Sequence, residues 1–115
     1  MEYFHYAPWV EADCNKTIKR RVGWQSSADA VDTWKADCDF SDVKNYMFLK
    51  MHGATYNDAL YSNLIRSGQI NRSQAISRIR AGAGLSVDRI SRAMETLGLP
   101  TSLIDWKTIE KRRQI

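Results

Sequence analysis

The stretch TWKADCDFSDVKNY, residues 33–46, sets an indole, an amine, a carboxylate and a thiol side by side ahead of a helix. Trp34 offers a rigid face that stacks on a sugar or a base, or packs a loop against a core. Lys35 can meet a phosphate or carboxylate as a point charge. Asp37, when ionised, only accepts hydrogen bonds, which suits sugar hydroxyls or a substrate amine. Cys38 would be a nucleophile if a neighbouring cation favoured its thiolate; Asp37 and Asp39 oppose that, and no histidine lies nearby in sequence. Asn45 and Lys50 are five positions apart and share no helical face closely, so one faces the loop and the other solvent. Trp34, Lys35, Asp37, Cys38, Asn45 and Lys50 are thus candidate substrate-binding residues, with no catalytic residue among them. A structural reading stands equally: Trp34 clamps the loop, while Asp37 caps a helix or joins an ion pair.

Arg66 and Arg72 flank the block SGQIN. Near a glycine-closed helix end, an arginine meets the carbonyl dipole, a purely structural task. Its forked guanidinium can equally take an anion or reach a neighbouring domain.

The wider inventory excludes several chemistries. The sequence has no GxxxxGK[ST], GxSxG or HExxH motif, and AGAG at 81–84 follows a helical pattern instead of the strand a phosphate cradle needs. Cys14, Cys38, His5 and His52 show no metal-ligand spacing, so no metal site is expected, and two cysteines are too few for a disulfide framework. No apolar run approaches the roughly 20 residues a membrane span requires. The start, MEYFHYAPWVEAD, has neither the basic nor the apolar region of a secretory signal, so a cytoplasmic protein with reduced thiols is expected.

These residues must be positioned by short helices. At 115 residues, 43% hydrophobic and 26% charged, the chain fits one soluble domain, small enough to belong to a longer parent. Val10, Cys14, Ile18 and Val22 form one helical stripe that Gly23 stops. Residues 25–40 have no clean period and form a long irregular loop. Ser41 caps a second helix with Val43, Tyr46, Met47 and the stem of Lys50 along one side, ending near Gly53. Asn57 begins a third, carrying Leu60, Leu64 and Ile65 and closed by Gly68. Asn71 and Gln74 have the spacing of a capping box and open a fourth, with Ala75, Ile76 and Ile79. Ser86 caps a fifth with Val87, Ile90, Met94 and Leu97 inward, and Ser102 and Asp105 open a last helix that frays into KRRQ. The expected fold class is all-α, a compact bundle of five or six short helices. Aromatic residues concentrate before residue 62, which places the denser core in the first half. Residues 1–80 read as one helical domain, and 81–115 as a helical pair behind a glycine hinge, packed on the same domain.

Charge is uneven. Residues 1–63 hold seven Lys/Arg against nine Asp/Glu, a balance of −2; residues 64–115 hold ten against four, a balance of +6. That pattern suggests a basic face for an anion, a nucleic acid or an acidic partner. The stretch GLSVDRISRAMETLGLP sounds like half of a helix-turn-helix, but a turn at Gly82 or Gly84 puts Arg78 or Arg80 where a small residue is required. Nucleic acid is therefore not the expected ligand, and a small basic helical protein binding nucleic acid or an acidic protein is the alternative reading.

The order APWVEAD, NKTIKRRVGW, DTWKADCDF, VKNYMFLKMHGAT and SNLIRSGQINRSQAI resembles the C-terminal part of the PP-loop ATP-pyrophosphatase proteins known as N-acetyl sugar amidotransferases of surface polysaccharide (lipopolysaccharide, exopolysaccharide) biosynthesis. It covers residues 3–80; nothing after 80 matches. The resemblance implies a parent enzyme that uses ATP and Mg to adenylate its substrate, a sugar nucleotide, and lets nitrogen displace AMP. It also implies an N-terminal PP-loop catalytic domain and a glutamine amidotransferase subunit as partners. The family's SGGxDS phosphate loop is absent from this chain, which should therefore bind no cofactor and be inactive alone.

Overall fold

Each helix begins or ends where a local signal makes it do so. The computed structural model describes residues 6–25, 38 and 40–115. Helix α1 (Glu11–Val22) carries Glu11 and Asp13 in its first turn and Lys19, Arg20 and Arg21 in its last, matching the helix dipole. Gly23, at φ 65°, closes it by donating its N–H to the Lys19 carbonyl at 3.1 Å. Helix α2 (Ser41–His52) starts one residue before the expected position, so Ser41 lies inside it and Phe40 at the cap. Helix α3 (Tyr56–Arg66) is opened by Thr55 and Asp58: the Asp58 amide donates to Thr55 Oγ1, and the Thr55 amide donates to Asp58 Oδ2 at 2.6 Å. Helix α4 (Arg72–Arg80) is opened by the Asn71–Gln74 box in both directions, at 2.9 and 2.8 Å. Ser86 caps α5 (Val87–Thr96), and a 3-10 turn (Thr101–Leu103) leads to α6 (Trp106–Arg113), capped by Asp105. Among the described residues the protein is an all-α bundle of six helices and one 3-10 turn, with no strand.

Packing pairs α2 with α3 and α5, α3 with α4, and α4 with α6. Two apolar clusters result. One joins Tyr46 to Leu85, Ile90, Met94, Ile104 and Ile109, with Val43, Leu49 and Trp106 against it. The other holds Leu60, Tyr61, Leu64, Ala75 and Ala83, covered by Trp9, Ile70 and Ile79. Among the described residues the larger cluster thus draws five of its six buried members from beyond residue 80, so the denser core is not in the first half. Aromatic content misled because a single tyrosine from α2 suffices to seal a face that aliphatic residues of α5 and α6 build.

Three helix faces also differ from their periodicity. The α1 stripe does not become core: Ile18 is 39% and Val22 75% exposed. The helix is instead held at its first turn, where Gln69 Nε2 donates to the Trp9 carbonyl at 2.9 Å and the Glu11 amide donates to Gln69 Oε1 at 2.8 Å. A glutamine from the α3–α4 link therefore satisfies an orphan N–H at the start of α1. On α2 the buried residues are Ser41, Asp42, Asn45 and Tyr46, while Met47 and Lys50 face out. On α5 they are Arg89, Ile90, Ala93 and Met94, while Val87 and Leu97 are exposed. Partnered polar groups displaced apolar ones from the inner faces.

The AGAG link is a packed joint. Gly82 and Gly84 sit at φ 87° and 70°. A Cβ on Gly84 would lie 2.3 Å from Asn57 Oδ1 and 2.5 Å from Asn45 Nδ2; one on Gly82 would lie 2.6 Å from Arg113 Nη2. The KRRQ end is likewise committed. Arg112 pairs with Asp58 and Arg113 Nη2 donates to the Leu85 carbonyl at 3.1 Å, so helical order runs to Arg113.

Candidate functional site

Asp42 is one residue into α2, and its first-turn position already favours a carboxylate. Its Oδ2 accepts from the Ser86 amide at 2.7 Å, and its Oδ1 from the Ser41 hydroxyl at 3.2 Å. Arg89, from the first turn of α5, brings Nε to 3.8 Å from Asp42 Oδ1 and donates from Nη2 to the Cys38 carbonyl at 2.7 Å. The same carbonyl accepts from the Ser41 amide at 3.1 Å. Asp42 and Arg89 are 3% and 5% exposed, so both charges are almost fully withdrawn from water. A pair so placed is tolerable only when hydrogen bonds meet most of its remaining polar atoms. Arg89 Nε makes none, which leaves the clamp polar and tight but not fully satisfied.

One turn further along α2, Asn45 Nδ2 donates to Asn57 Oδ1 at 2.8 Å and Asn45 Oδ1 accepts from the Tyr56 amide at 3.1 Å. Gly84 presses on this pair from the α4–α5 link. The N-terminal half of α2 is therefore locked by polar contacts to both α3 and α5, and the carbonyl at the end of the DTWKADC block is fixed by Arg89.

Of the candidate binding residues, Trp34, Lys35 and Asp37 lie outside the described residues. Cys38 is exposed at the foot of α2 and Asn45 is buried seven residues on, with an internal amide partner. Lys50 is far from both along the helix and donates to Asp105 Oδ2 at 3.0 Å. Thr108, bonding through its hydroxyl, and then Lys50 hold the Asp105 carboxyl down at about 2; Asp105 in turn raises Lys50 above its usual value. Arg66 ends α3, exposed and bonded to the Asn63 side chain, and Arg72 starts α4, also exposed. The structure thus gathers Cys38 and Asn45 near one end of α2 and leaves Lys50, Arg66 and Arg72 elsewhere.

Asp42, Ser86, Arg89, Asn57 and Gly84 complete the constellation, and sequence reading missed their part in it. The available signal was slight: Asp42, Asn45 and Tyr46 share a helical face, and Arg89 adjoins Ile90 on another. Among the described residues no group of His, Cys, Asp and Glu could hold a metal ion. No helix there is long and apolar enough to cross a membrane. The arrangement can hold the Cys38 carbonyl in place; among the described residues it has no paired nucleophile and base.

No family model, curated protein or solved structure matches this chain. That result overturns the expectation of amidotransferase chemistry in surface-polysaccharide biosynthesis, because no relative carries either activity to these residues.

Proposed function

We propose that this chain is a helical accessory domain that presents the segment before α2 to the substrate side of a PP-loop ATP-pyrophosphatase-type catalytic partner and performs no chemistry alone. The observation that carries the reading is the buried Asp42–Arg89 clamp on the Cys38 carbonyl. Two nearly dehydrated charges are an expensive way to hold one backbone oxygen on a surface, and the expense is reasonable where the residues before it must be aimed. ATP and Mg belong to the partner, whose phosphate loop this chain lacks.

The test has two arms. The chain alone should release no pyrophosphate from ATP, and a reading frame encoding an SGGxDS strand–loop–helix unit should lie upstream of, or adjacent to, its own. With that partner present, Lys35→Ala and Asp37→Ala should impair turnover while changing stability by no more than about 0.5 kcal/mol. Turnover left intact by both variants, or a neighbourhood with no such unit, overturns the reading. Nucleic-acid binding by the basic second half is less well supported, since Arg78, Arg89 and Arg112 turn inward to Glu11, Asp42 and Asp58.

A further inference from the structure

Four exposed cations lie together on α1. Lys16, Lys19, Arg20 and Arg21 are all exposed, and none of them has an ion-pair partner among the described residues. Three of the four crowd the last turn of the helix, where the dipole is equivalent to only about half a negative charge. Gly23 ends the helix there in a left-handed cap, its N–H on the Lys19 carbonyl, and Trp24 and Gln25 follow it. These four residues, Lys19, Gly23, Trp24 and Gln25, line a hollow of about 390 Å³. The side of Gly23 where a Cβ would stand is open, with nothing within 4 Å.

We infer that this hollow binds a phosphate-bearing aromatic ring, a nucleotide either free or within a single strand. Each lining group supplies one part of that recognition. The half-buried Trp24 indole is a stacking face, the kind of platform on which bases sit whatever their sequence. The Gln25 amide carries both donors and an acceptor for a base edge. Lys19, with Arg20 and Arg21 beside it, meets the phosphate. An acidic protein surface would use the charges but would leave the small aromatic hollow without a purpose. The site is independent of the function proposed above, because it involves neither the segment just before α2 nor a catalytic partner.

The test is calorimetric titration of the whole chain at low salt with oligothymidylate and, separately, with thymidine triphosphate. Saturable binding of either is expected, and which of the two binds distinguishes a strand from a free nucleotide. Trp24→Leu should weaken it roughly tenfold, and Trp24→Phe should retain most of it. Lys19→Gln should weaken it about tenfold, and Lys107→Gln, an exposed cation on α6, should change it less than about twofold. Absence of binding by both ligands overturns the inference. So does binding that Lys107→Gln weakens as much as Lys19→Gln does, which would be unspecific charge attraction. Binding that survives Trp24→Leu unchanged also overturns it, and Trp24→Phe keeps the comparison open should the leucine variant fold poorly.

Discussion

Arg89 shows how one residue can invert the expectation drawn from its type. An arginine three residues beyond a helix cap reads as solvated, yet here it is buried against Asp42 and holds the Cys38 carbonyl. Removing either charge strands the other, so Arg89→Ala and Asp42→Ala should each destabilise the fold by about 3–5 kcal/mol. The double variant should cost less than the two losses added, because the second substitution removes an already orphaned charge. Urea unfolding of the three variants measures this, and strict additivity would show that the two side chains act separately. Gly84 offers a second contrast. Gly84→Ala meets both left-handed strain and the buried Asn45–Asn57 pair, and should cost about 3 kcal/mol. Gly23→Ala meets open space and should show only the strain, about 1 kcal/mol. Equal losses in thermal melts would mean that the close approach at Gly84 is relieved at no cost.

At the scale of the element, caps explain the helix boundaries better than apolar periodicity does. Thr55→Ala removes the acceptor for the Asp58 amide and should cost about 1–2 kcal/mol, a drop measurable in chemical denaturation. Asp105 joins capping to charge. It takes the Thr108 hydroxyl at 2.7 Å and Lys50 at 3.0 Å, tying the start of α6 to α2, and these contacts hold its carboxyl at about 2, below the ordinary 3.8. A lowered value means that the ionised form is favoured by folding. The contribution is therefore complete above about pH 5 and is lost as pH falls through 3.8 towards 2. Asp105→Asn keeps a capping oxygen but removes the charge. The stability gap between wild type and this variant should accordingly be widest near neutrality and close on acidification. A gap that does not change with pH would assign Asp105 to capping alone. Because the pair is half exposed, salt should narrow the gap as well.

Over the whole molecule, the charge asymmetry acts as a fastening. Arg78, Arg89 and Arg112, from the basic second half, meet Glu11, Asp42 and Asp58 from the acidic first half. Together with Tyr46 in the cluster of Leu85, Ile90, Met94, Ile104 and Ile109, these contacts join the two stretches of chain. Unfolding should therefore be one transition, with far-ultraviolet circular dichroism and tryptophan fluorescence coinciding along a denaturant series. Two resolved transitions would show that residues 81–115 form a unit of their own. The sequence alone determined the all-α class, the glycine stops at Gly23, Gly53, Gly68 and Gly98, and the Asn71–Gln74 and Ser86 caps, because each depends on neighbours within about one helical turn. Only the tertiary structure decided which face of α2 and α5 turns inward, because an apolar stripe states that a helix has a side to bury but not what waits there. Asp42 and Asn45 took the inner face of α2 over Met47, since Arg89, the Ser86 amide and Asn57 arrive from α5 and α3 to satisfy them. Those partners stand 12 to 47 positions away in the chain, and no local pattern announces a hydrogen bond made across that distance.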